Sequence, residues 1–462
     1  MIAINILLGL FGLGVVVFFH ELGHFLAARL MGINVEAFSL GWGNPILKKK
    51  IGSVEYRLGM FPVGGYCKMQ GENDYNAAWE NMQKGIQPEK GSYLAASPQA
   101  RMLVCFGGPF FNLILAVILL SIIWGVGFEI TTVGNRIILA SETSRAETSG
   151  DFEQRQIFPA DIAGLQTGDR IIEINGKEIS YYHEIQEMIA LNPEKNIPIT
   201  VERDRKLTNL IVTPALEKST GAGRIGVYFW IDPKIESVNE GSPAYIAGLK
   251  AGDIITSANG NVIRNSEDFR AVRASNPQSM IIEYMRQNFP GQAEIFMLDQ
   301  NGEQISELGF TWETIRYRTP NLSAPAAIAK GVQEGWKTLT VSVKSLGLLF
   351  RGIDLTQAVS GPVRITYMMG DIATQGFGQS VGTGLRSFAN FIALISVALC
   401  VMNLLPLPIL DGGMIILFFV EMIRRKPIPP KAVSVFNACG MAIIGCLMVF
   451  ALFGDIMFFV RG

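Results

Sequence analysis

The chain has 462 residues, 49% of them hydrophobic, and a mean hydropathy of +0.30, which excludes an ordinary soluble domain and points to a membrane protein with soluble parts. Its 39 Lys and Arg against 40 Asp and Glu leave a net charge of -1, so no positive excess marks it for nucleic acid. Five cysteines, Cys67, Cys105, Cys400, Cys439 and Cys446, offer neither a disulfide framework nor a cysteine-rich zinc module.

Residues 2–19 are an uncharged apolar run of spanning length that continues through HELGHFLAARL, predicting a transmembrane helix over 1–31. A cleaved signal peptide fits less well, because no basic stretch precedes the run and no small-residue cleavage site follows it. Further spans are predicted at 102–127, 388–411 and 433–458. The loop 32–101 carries Lys48, Lys49, Lys50, Arg57 and Lys68, and the segment 412–432 carries Arg424, Arg425, Lys426 and Lys431. The positive-inside rule makes both cytoplasmic and puts both termini and the long middle outside. Within 412–432, IILFFVEMIRRK is too short to span and is expected to lie along the inner surface, against lipid.

The long middle contains a repeat. PADIAGLQTGDRIIEINGKEI (159–179) and PAYIAGLKAGDIITSANGNVI (243–263) align without a gap. Each runs from AGL through a Gly-Asp turn into an alternating strand and an Asn-Gly hairpin turn. This resembles the core of PDZ domains, with Gly164, Gly168, Asp169, Asn175 and Gly176 matching Gly248, Gly252, Asp253, Asn259 and Gly260. The tandem is taken as 128–218 and 219–316, followed by a helical segment over 317–387. PDZ folds capture an extended peptide at a sheet edge, and Ile225, Gly226 and Val227 are the candidate edge of the second copy; the same residues also read as a plain buried strand.

On a helix, His20 and His24 project from one face and can share a Zn²⁺ while Glu21 reaches the attacking water. The bare pattern H-E-x-x-H carries little weight alone. Its place late in a membrane span gives it weight, because buried ionisable groups there are functional by default. A catalytic zinc usually takes a third protein ligand. Asp411 in NLLPLPILDGG (403–413) is the best candidate, in backbone broken by prolines and glycines as befits a cavity wall. The third histidine, His183, reads as a surface residue of the first repeat.

HELGH, FPVGGYCKM (61–69), GGPFFN (107–112), the repeat and NLLPLPILDGG together resemble a bacterial site-2 protease of the regulator-of-sigma-E protease type, in order over essentially the whole chain. The resemblance implies a multi-domain membrane protein: a polytopic α-helical core of about four spans, a membrane-associated β-hairpin and two periplasmic PDZ domains. It implies His20, His24 and Asp411 as zinc ligands and Glu21 as catalytic base. Asn403, Pro406 and Pro408, together with Gly64, Gly65, Gly108 and Asn112, would hold unwound substrate. SGPVRI (360–365) would lead towards the third span. The implied partners are single-pass membrane proteins already trimmed by another protease, such as an anti-sigma factor, and remnant signal peptides. A non-catalytic PDZ scaffold and a metal transporter using His20, His24 and Asp411 are the rival readings.

Overall fold

A computed structural model describes residues 2–72, 80–82, 88–143, 157–218, 220–275, 277–298, 305, 307–348 and 361–461. Ser360 of SGPVRI lies outside them. The chain divides into two compact units, one made of 1–128 with 319–462 and the other of 129–318.

Four helices of the first unit are long and apolar enough to cross a membrane: α1 (Ile2–Leu30), α2 (Pro98–Val126), α5 (Val381–Asn403) and α7 (Pro430–Arg461). In hydrocarbon a helix satisfies its own peptide groups, which is why these largely apolar runs fold this way. Ser97 Oγ caps α2 by accepting from the Ala100 amide, with Pro98 following, and Ser380 Oγ caps α5 through the Thr383 amide. α1 and α2 cross at Gly23 and Gly107, where a Cβ on Gly107 would stand 2.6 Å from the Gly23 carbonyl oxygen. Only glycine lets the two backbones touch there.

Three more helices join this bundle: α3 (Ala324–Leu348), α4 (Pro362–Gln379) and α6 (Asp411–Arg424). The region expected as a helical segment over 317–387 supplies α3, α4 and the start of α5, and α3 and α4 pack on the spans. Gly331 of α3 lies against Val117 and Ser121 of α2, and Gly370 of α4 against Asn5 of α1. The third span opens at Val381, ahead of the expected 388. It also ends early, at Asn403, because Pro406 and Pro408 cannot continue a helix. Asp411 therefore begins α6 rather than ending the third span. Nor is α6 a purely surface helix, since Leu417, Phe418 and Glu421 are buried.

Between α1 and α2 run β1 (Val35–Ile51) and β2 (Val54–Met69), each of which contributes twice to one sheet. Residues 37–40 pair on one side with 65–68 and on the other with 55–58, while 45–51 form a hairpin with 54–59. Run 65–69 has no second strand partner among the described residues. Trp42, Ile46, Leu47, Met60 and Phe61 are exposed on this sheet.

The second unit contains two modules of one topology. In the first, strands Arg170–Ile174, Lys177–Glu178, Ile197–Arg203 and Lys206–Val212 form a sheet beside helix Tyr182–Ala190. In the second, Ile254–Ala258, Asn261–Val262, Ser279–Arg286 and Phe289–Phe296 repeat the order beside Ser266–Ala274. Asn175-Gly176 and Asn259-Gly260 all have positive φ, as a tight hairpin turn requires. The aspartate of each Gly-Asp turn is buried and clamped by an arginine fork. Arg203 meets both oxygens of Asp169 at 2.7 Å and donates to the Gly164 carbonyl, and Arg286 does the same for Asp253 and Gly248.

The boundary at 218/219 is corrected. Val227–Phe229 pairs with Ile137–Leu139, and Ile225 belongs to the apolar core of the first module. Ile225, Gly226 and Val227 therefore border a groove against Tyr182 and Ile185 of the first copy, not the second. In that groove the Tyr182 hydroxyl donates to the Val227 carbonyl at 2.8 Å.

Candidate active site

The approach of α1 to α2 at Gly23 and Gly107 puts the next residue of α2, Gly108, against both histidine rings. A Cβ there would strike His24 and come within 2.8 Å of His20 Cε1. The two rings stand nearly perpendicular, at 86°, with their Nε2 atoms 3.2 Å apart. Asp411 closes the triangle. Its Oδ2 lies 3.4 Å from His20 Nε2 and its Oδ1 3.6 Å from His24 Nε2.

Asp411 reaches that position through the chain break before it. Ile409 has φ +75°, Leu410 is extended, and the helix restarts at Asp411. Residues 404–408 fold back over the first turn of α6, where any side chain on Gly412 or Gly413 would collide with the carbonyls of Leu404 and Leu407. The D-G-G sequence is thus a steric requirement of presenting the carboxylate.

The chemistry around the rings fits a zinc ion. His24 Nδ1 donates to the Val104 carbonyl at 2.8 Å, which leaves Nε2 as a bare lone pair. Asn112 Nδ2 lies 3.3 Å from His20 Nδ1, while Asn112 Oδ1 is buried without a partner among the described residues. Turning the carboxamide by half a rotation puts Oδ1 beside His20 Nδ1, where it accepts a proton carried on that nitrogen and leaves His20 Nε2 free. Two imidazole nitrogens and a carboxylate oxygen facing one point are a zinc donor set.

These ligands open on a cavity of about 510 Å³, lined also by Glu21, Gly65, Tyr66, Cys67 and Asn403. A Cβ on Gly65 would stand 3.1 Å from Glu21 Cγ, so glycine here lets run 65–69 pass close to the carboxylate. Burial, reinforced by the Glu21 and Glu72 carboxylates, pushes the Cys67 thiol up.

Of the residues expected to hold substrate, Gly65 and Asn403 line the cavity. Gly64 packs under the Trp42 ring at φ +83°, and Pro408 sits behind the cavity wall against Gly440 of α7. Gly108 lies against both imidazoles and Asn112 against that of His20. Sequence reasoning missed the Val104 carbonyl, which no side-chain pattern marks. It also missed Asn437 of α7, another cavity residue, signalled only by a lone amide in an apolar span.

Residues 8–447 match Peptidase family M50. The chain belongs to that family. It is similar to "Putative zinc metalloprotease" of Treponema pallidum, 34% identical over 98% of this chain and 99% of that one. It is also similar to "Regulator of sigma E protease" of Haemophilus influenzae, 30% identical over 96% and 97% of the two chains. This M50 peptidase is a multi-pass membrane protein and a zinc metalloendopeptidase.

Proposed function

We propose that this peptidase cuts inside the transmembrane segments of single-pass membrane proteins already trimmed by another protease, an anti-sigma factor being one such substrate and remnant signal peptides a second class. The observation that carries the reading is the placement of His20, Glu21 and His24 on a span-length helix, beside a strand run, Gly65–Met69, that has no second strand partner among the described residues.

A substrate helix has its carbonyls bonded internally, so it must unwind before any peptide bond can be attacked. An extended segment laid along 65–69 regains hydrogen bonds on one side as a new strand. His20, His24 and Asp411 would hold Zn²⁺, which supplies Lewis-acid activation of water and of the scissile carbonyl. Glu21, at the same cavity, takes the proton of the attacking water and returns it to the leaving amine. Asn403 binds the unwound segment from the end of α5.

The basic loops after α1 and α6 support an active site near the cytoplasmic face of the bacterial inner membrane, with the two modules in the periplasm. We read these modules as PDZ domains that admit trimmed substrates and turn away intact ectodomains. The exposed apolar side chains around Trp42, beside Lys48 to Lys50, suit contact of the β-hairpin with lipid.

Glu21→Gln is expected to keep zinc and abolish cleavage of a trimmed single-pass substrate, whereas His24→Ala and Asp411→Ala lose both. Cleavage by Glu21→Gln would refute the assignment of the base. Removing 129–318 should permit cleavage of untrimmed substrates; a deletion variant that still spares them would end the filter reading.

A further inference from the structure

Every polar group assigned so far belongs to α1, α2, β2, α5 or α6. The helix α7 also lines the cavity and brings a carboxamide to it. Asn437 lines the cavity, and its Oδ1 is buried without a hydrogen-bond partner among the described residues.

Its position is fixed by packing. One turn further on, Gly440 touches the chain break before Asp411 so closely that a Cβ there would stand 2.7 Å from the Pro408 carbonyl oxygen. One turn earlier, Val433 is buried in the same apolar cluster as Cys67, Met69 and Phe418. Val433, Asn437 and Gly440 share one face of α7 by their spacing of four and three residues. With its two neighbours held against protein, Asn437 faces the cavity rather than lipid. An amide in an apolar span with an unanswered buried oxygen is unfavourable unless something answers it.

We propose that Asn437 is a substrate-binding residue whose carboxamide hydrogen-bonds the backbone of the unwound segment, Oδ1 accepting a substrate N–H. This rests on the reading that an extended transmembrane segment is cut here. A strand added along 65–69 pairs only one of its two edges; the other edge keeps peptide N–H and C=O groups that water cannot fully serve in a half-buried site. A carboxamide is itself a peptide-like group, able to accept from an N–H and donate to a carbonyl. Asn437 supplies that second edge from a helix other than the strand's own wall.

The recognised chemistry is therefore a freed backbone N–H near the cut bond, independent of side-chain identity. A substrate lacking that N–H, through proline or an ester at the position, loses the contact.

The test uses the full-length enzyme in detergent and a synthetic transmembrane peptide that the wild type cleaves. In analogues of the peptide, each backbone N–H flanking the cut bond is replaced in turn by an ester oxygen. For the wild type, one position is expected to raise KM roughly five- to ten-fold, the equivalent of one hydrogen bond. Asn437→Leu is expected to raise KM by the same factor on the parent peptide, keep kcat and bound zinc, and be indifferent to the ester at that one position. Equal ester penalties in both enzymes, or an unchanged KM in Asn437→Leu, would overturn the proposal while leaving the protease reading intact. Should Asn437→Leu and Asn437→Ala both lose zinc, the residue belongs to the fold and the proposal fails. Glu21→Gln is the control: cleavage by that variant would instead bring down the catalytic reading itself.

Discussion

Arg101 and Glu421 stand 320 positions apart and form a buried ion pair, with Nη2 and Oε1 at 2.6 Å. The guanidinium also lies 4.6 Å from the centre of the Phe418 ring. Arg101 opens the helix that carries Val104, Gly108 and Asn112, and Glu421 ends the helix that opens with Asp411. The pair therefore joins the helix that orients the imidazoles to the helix that carries the carboxylate.

Breaking that pair should weaken zinc binding without touching a ligand. Removing one partner of a buried pair costs about 3–5 kcal/mol, and Glu421→Gln or Arg101→Met is expected to lower zinc affinity roughly ten-fold or more. Competition with a chelator measures it. An affinity equal to the wild type would show that α2 and α6 are held by their apolar contacts alone.

Asn112 gives a sharper comparison. Asn112→Asp keeps an acceptor for His20 Nδ1–H and should retain zinc, whereas Asn112→Leu should lose roughly ten- to a hundred-fold in affinity. If both variants bind zinc alike, the carboxamide does not set the tautomer of His20.

In the second module, Arg286→Ala leaves Asp253, a fully buried carboxylate, without its cation. A loss of about 3 kcal/mol is expected. Hydrogen exchange should quicken in strands Ser279–Arg286 and Phe289–Phe296 and stay unchanged in Ile197–Arg203, whose own clamp is Arg203. Uniform acceleration across both modules would contradict a local role for this clamp.

How much of this was legible in the sequence depends on the range of each interaction. His20, Glu21 and His24 carry their geometry in their spacing, because one helix turn sets it. The break around Pro406 and Pro408 was legible for the same reason, although which helix Asp411 joins was not: the residues that restart a helix do so after the glycines find room under the folded-back chain. That Val227–Phe229 pairs with Ile137–Leu139 was not legible, because a repeat shows where copies recur, not which flank closes each sheet. Gly108, Asn112, the Val104 carbonyl, the Arg101–Glu421 pair and Asn437 depend on which faces of separate helices meet. Nothing local in the chain encodes that. Gly107-Gly108 is the partial exception, since paired small residues mark a close crossing without naming the helix that crosses.

The donor triangle joins a residue near the start of the chain to one near its end. A ribosome makes His20 and His24 early and must add almost four hundred more residues before it reaches Asp411. Until then the metal site lacks its carboxylate and the wall that α6 provides. Nascent and truncated chains that stop short of Asp411 thus lack one corner of the donor triangle.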